Sequence, residues 1–141
     1  MKRTATANWK GGLKEGSGTV SAASGIFSNV PYNVVGRFES GAGTSPEELI
    51  AAAHAGCFAM ALSAELGKVG LTAQSIDSKS TVSLDKLDSG WTVTASHLEV
   101  TAKIPGADRG KFQQAADAAK AGCPISRLLK AEVTLEAKLV A

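Results

Sequence analysis

Residues 49–62, Leu-Ile-Ala-Ala-Ala-His-Ala-Gly-Cys-Phe-Ala-Met-Ala-Leu, limit the folds open to this chain more than any other stretch. They follow Thr44-Ser45-Pro46-Glu47-Glu48, where Ser45 suits an N-cap, Pro46 the first helical position, and Glu48 the third residue of a capping box. With Gly67 and Gly70 as stop signals, one long helix is expected from here to about Lys68. Its middle is apolar on nearly every face, so it must be covered all round, and its many Ala and Gly residues let another helix approach closely. The apolar run contains His54 and is shorter than the roughly 20 residues that cross a bilayer. It reads as a buried helix in a protein without a membrane segment.

The flanking sequence supplies strands. Residues 4–9 alternate, with Ala5, Ala7 and Trp9 on one face; a Gly-rich turn over 11–18 leads to strands at 18–23 and 33–38. Residues 75–105 read as two long strands joined at 87–90. Their apolar positions switch from odd (Trp91, Val93, Ala95) to even (Leu98, Val100, Ala102), which implies a bulge near Ser96 and His97. Asp108 caps a helix with Phe112, Ala115, Ala116 and Ala119 on one face, ending at Gly122. Pro124 opens a short helix, and 131–140 alternate strictly, with Val133, Leu135, Ala137 and Leu139 inward. The order is β-β-β-α-β-β-α-α-β, an α+β fold with antiparallel strands. No repeat or long linker divides it, so residues 1–141 are expected to form a single domain.

A chain of 141 residues buries a core without staples. Its net charge is +2, with acids and bases interleaved, which is not the footprint of a nucleic-acid binder. The N-terminus has basic residues but no apolar stretch behind them, so a cytoplasmic location is expected. In that compartment thiols stay reduced, and a Cys pair points to catalysis, redox sensing or metal binding rather than to a structural disulfide.

The two cysteines, Cys57 and Cys123, each follow Ala-Gly. Cys57 lies mid-helix, where a thiol is often a small buried hydrophobe. Cys123 lies at a helix break, where the N-terminal dipole of the next segment favours a thiolate. Two Cys and two His are few for a metal site, although His54 and Cys57, three apart, can share a helix face. The same pair fits a Cys/His nucleophile and base, or His54 is a satisfied core histidine. His97 reads as a surface or bulge residue. Arg37 is a permanent charge inside an apolar run, and Glu47 is an acid in a first helical turn, where the dipole favours it.

Arg37 to Ser63, followed by Ala-Lys-Ala-Gly-Cys-Pro-Ile-Ser at 119–126, closely resembles the osmotically inducible protein C and organic hydroperoxide resistance family, OsmC/Ohr, and its OsmC branch in particular. The likeness extends through residues 75–91 and 128–137, most of the chain. The family often reads Thr-Asn-Pro-Glu where this chain has Thr44, Ser45, Pro46 and Glu47; Asn and Ser are comparable caps.

The resemblance implies an OsmC-like fold, an intertwined homodimer with long central helices, and a peroxiredoxin-like thiol peroxidase of the stress response, osmotic stress included. Cys57 becomes the cysteine that attacks an organic hydroperoxide and Cys123 the one that resolves its sulfenic acid as a disulfide, with Arg37 and Glu47 completing the site. No cofactor is implied, only an external dithiol, dihydrolipoamide or a lipoylated protein. Physical logic agrees: an apolar helix raises a thiol pKa, so Cys57 needs a fixed cation such as Arg37, and a carboxylate such as Glu47 orients a guanidinium. Glu47 precedes Cys57 by ten residues, roughly 15 Å of helical rise. A straight helix therefore asks for a dimer in which one chain's Arg37 and Glu47 face the other chain's Cys57 and Cys123. An apolar surround favours greasy peroxides, at about 0.8 kcal/mol per buried methylene. A non-catalytic small-molecule or metal-binding module and a Cys/His acyl hydrolase are the competing readings.

Overall fold

In a computed structural model, which describes residues 1–39 and 41–141, the chain divides into two compact units, Met1–Leu49 and Ile50–Ala141. The boundary falls inside a helix.

The first unit holds a three-stranded antiparallel sheet of β1 (Ala5–Lys10), β2 (Ser17–Ala22) and β3 (Val30–Tyr32), in that order. Trp9 and Tyr32 meet across it with ring centroids 5.4 Å apart. Helix α1 (Val34–Phe38) then occupies residues expected to be a strand. The β-branched Val34 and Val35 suggest a strand, but Asn33 overrides them: its side chain accepts from the Gly36 N–H at 2.6 Å and caps a helical turn.

Helix α2 (Pro46–Lys68) begins and ends where its signals lie. Ser45 Oγ accepts from Glu48 N–H at 3.1 Å, while the Glu48 carboxylate accepts from Thr44 Oγ1 at 2.7 Å. At the other end Gly70 takes φ +74°, Leu71 N–H donates to Leu66 O and Gly70 N–H to Gly67 O, a Schellman closure. By length and composition α2 is apolar enough to cross a membrane, more so than its apolar run alone suggests. One row, His54, Phe58, Leu62 and Leu66, is fully buried. The opposite row, Ala53, Gly56, Met60 and Ala64, is exposed, Met60 at 77%.

The second unit is built on a sheet of β4 (Ser75–Leu87), β5 (Gly90–Lys103) and β6 (Glu132–Val140). β4 and β5 form an antiparallel hairpin whose register shifts between Ser83, opposite Ala95, and Leu84, opposite Val93. Thr94 is therefore the extra residue, close to the bulge that the parity switch requires. β6 runs parallel to β5, which corrects the expectation of antiparallel strands throughout. The alternation of residues 131–140 fixes which face is buried but not strand direction. Direction is set by the crossover through α3 (Arg109–Gly122) and α4 (Pro124–Leu128). Phe112, Ala115, Ala116 and Ala119 of α3 join Leu98, Val100 and Ala102 of β5 in the core with the buried row of α2.

Candidate active site

Cys57 and Cys123, 66 residues apart in sequence, meet in the second unit as free thiols with sulfurs 2.8 Å apart. α2 supplies Cys57, on the face next to the buried row. Cys123 is fully buried at the junction of two helices, the C-cap of α3 and the N-cap of α4, with Pro124 opening α4 as its sequence indicates.

The two thiols are not equivalent. Burial pushes the Cys57 thiol up, and the contact with Cys123 pushes it further, against a smaller pull from the Ile125 amide. Burial also works to raise Cys123, but the contact with Cys57, the amides of Ser126 and Ile125, and the Ser126 hydroxyl outweigh it and leave the thiol below its ordinary value. Within this unit the two thiols are thus shifted in opposite directions, Cys57 up and Cys123 down.

His54 bonds to neither thiol. Its Nδ1 is 2.6 Å from Ser96 Oγ and its Nε2 2.7 Å from Ser126 Oγ. Both nitrogens are thus engaged by hydroxyls, the arrangement of a satisfied core histidine, and burial holds its pKa below 6.5. His97 is partly exposed, with Nδ1 2.6 Å from Thr134 Oγ1 across the β5–β6 pair. Among the described residues no three His, Cys, Asp or Glu side chains cluster as metal ligands would.

Arg37 and Glu47 meet in the first unit. Arg37 Nη2 donates to Glu47 Oε1 at 2.7 Å, and its Nε reaches Oε1 and Oε2 at 3.2 and 3.3 Å. The guanidinium edge thus grips one carboxylate, which is nearly buried (11% side-chain exposure) while the Arg37 side chain stays 39% exposed. Arg37 stands in the last turn of α1 and Glu47 in the first turn of α2, the helix ends that suit each charge. Beside them lies a largely apolar cavity of about 240 Å³, lined by Trp9, Leu13, Tyr32, Val34, Arg37 and Pro46.

The four residues singled out in the sequence thus form two pairs, Cys57 with Cys123 and Arg37 with Glu47, one in each unit. Sequence reasoning gives the serines around His54 no role in the site: Ser96 enters it as the place of a bulge and Ser126 as the end of the Cys123 motif. Ser96 does carry a signal, since it interrupts the inward row that continues through Leu98, Val100 and Ala102. Ser126, three residues after Cys123, carries none beyond that spacing.

Comparison with known proteins shows which family the chain belongs to. The family described as OsmC-like protein matches residues 39–138. The chain is 50% identical to Peroxiredoxin OsmC of Escherichia coli over 133 residues, 94% of this chain and 93% of that one. It is 33% identical over 96 residues to an Organic hydroperoxide resistance protein of Xanthomonas axonopodis, covering 66% of this chain and 64% of that one. The structure of an OsmC-like protein from Vibrio cholerae superposes with a TM-score of 0.76 at 18% identity, over 97% of this chain and 99% of that one. In sequence and in fold, this chain belongs to the OsmC-like protein family.

Proposed function

We propose that this protein is a thiol peroxidase that reduces organic hydroperoxides to alcohols. The observation that carries the reading is the pair of free thiols 2.8 Å apart, one raised and one lowered in pKa. The names of its relatives, a peroxiredoxin and an organic hydroperoxide resistance protein, support it.

The Cys57 thiolate attacks the distal peroxide oxygen. The O–O bond breaks, the alkoxide takes a proton and leaves as the alcohol, and Cys57 becomes a sulfenic acid. Cys123 attacks that sulfur; the S–S bond forms, the S–O bond breaks, and the hydroxide takes a proton to leave as water. An external dithiol, dihydrolipoamide or a lipoylated protein, restores both thiols by exchange and is itself oxidised to a disulfide. The cation that Cys57 needs is Arg37, held by Glu47, and the protein works in the cytoplasm as a homodimer in which one chain's Arg37 and Glu47 face the other's Cys57 and Cys123. The exposed small-residue row of α2, with Met60, suits burial in such a dimer. The apolar cavity beside Arg37 suits an alkyl or aryl tail rather than hydrogen peroxide. The hydroxyl partners on both nitrogens of His54 leave no imidazole base for Cys57 and disfavour an acyl hydrolase.

Intact mass after one equivalent of cumene hydroperoxide tests the reading. The expected product is lighter by two hydrogens, mapped to Cys57 and Cys123, and Cys123→Ser keeps the first oxidation but loses turnover. An unchanged mass overturns the peroxidase, and turnover no better than with hydrogen peroxide rejects the preference for organic substrates.

A further inference from the structure

The polar row through His54 ends at Ser126, in the first turn of the helix that Cys123 caps. Ser80 Oγ is 2.9 Å from Ser96 Oγ, Ser96 bonds His54 Nδ1, His54 Nε2 bonds Ser126 Oγ, and the Ser126 hydroxyl favours the thiolate of Cys123. The row links β4, β5, α2 and α4 through a largely apolar interior. Among the described residues of this unit, the buried polar side chains are His54 and Ser96.

We propose that His54 is a positioning residue for Cys123: its Nε2–H donates to Ser126 Oγ and so aims the Ser126 hydroxyl hydrogen at the Cys123 sulfur. The name of resolving thiol for Cys123 rests on the peroxidase reading; the hydrogen bonds of His54 do not. A neutral imidazole donates from one nitrogen and accepts at the other. With Nε2 donating, Nδ1 accepts from Ser96, and Ser96 accepts from Ser80. Every donor then points the same way, and the row terminates on an acceptor, which a thiolate is and a thiol is only weakly. A resolving cysteine attacks a sulfenic acid as its thiolate, so a fixed donor at this sulfur readies the disulfide-forming step.

The titratable groups facing Cys123 are Cys57 from α2 and, through Ser126, His54. Arg127 of α4 is exposed. The core faces of α3, β5 and β6, with Phe112, Ala115, Leu98 and Leu135 among them, are uncharged.

The test is the thiolate absorbance titration of Cys123 in a Cys57→Ser background, where it is the single thiol, with no peroxide present. His54→Leu and Ser126→Ala are each expected to raise the midpoint by about one unit. His54→Gln, whose amide N–H can donate to Ser126, is expected to keep most of the original value. A midpoint unchanged in His54→Leu, or raised as much by Gln as by Leu, overturns the proposal. If His54→Leu does not fold, Ser126→Ala, at a partly exposed site, and His54→Gln decide it in the same way: an unmoved midpoint in the first or a full rise in the second overturns it. Disulfide formation in the unmutated chain is scored separately. A shifted titration without that disulfide supports the His54 assignment and removes only the peroxidase reading.

Discussion

At Cys123 a single backbone unit serves two helices. Its N–H donates to Ala119 O at 2.9 Å, and its carbonyl accepts from Arg127 N–H at 3.0 Å. The sulfur is therefore anchored from both sides, and α2 brings Cys57 to it. His54 also couples stability to pH. Its pKa lies below 6.5 in the folded chain because burial opposes the charged ring. Between that lowered value and 6.5 the unfolded chain binds more protons, so stability rises with pH through this window and is lost as pH falls. Urea midpoints measured above and below 6.5 are expected to show this loss, and His54→Gln is expected to reduce it. An equal acid loss in both proteins assigns the effect to other groups. Cys57, Cys123, Arg37 and Glu47 could be singled out in the sequence because each stands against apolar or capping neighbours, while the roles given to them come from the family resemblance. The joining of Ser80, Ser96 and Ser126 to His54 was not legible there, because serine is common and only the third dimension brings Ser96 and Ser126 to the same imidazole and Ser80 to Ser96.

Helix α2 shows how much of an element its end signals determine. Cap, proline and glycines placed both of its ends, and the structure adds the left-handed Gly70 with its two closing hydrogen bonds. A Cβ at Gly70 meets nothing within 4 Å, so Gly70→Ala acts through backbone conformation alone. It is expected to lower stability by about 1–2 kcal/mol in denaturant unfolding; no change would mean that the Schellman closure contributes nothing. The elements misjudged in sequence have physical causes too. α1 is five residues long, too short for helical periodicity to register, and its cap residue decides it. The direction of β6 depends on the path through α3 and α4, and nothing within residues 131–140 encodes that path.

For the whole molecule, the decisive matter is that Arg37 and Glu47 belong to one compact unit and the two thiols to the other. Sites shared between chains make a sharp prediction. Arg37→Ala and Cys57→Ser proteins, each inactive, are expected to regain peroxidase activity when unfolded together and reassembled, because each mixed dimer then holds one intact site. If both residues act within one chain, every chain in the mixture remains defective and no activity returns.

The parallel pairing of β5 and β6 also dictates an order of assembly. The β4–β5 hairpin closes through the two-residue turn Asp88-Ser89 and can form early, whereas Ala95 meets its register partner Glu132 only after the whole crossover has condensed. Cys123 lies in that crossover. A nascent chain therefore carries Cys57 in its helix well before Cys123 can reach it, and during this interval the first thiol is without its neighbour.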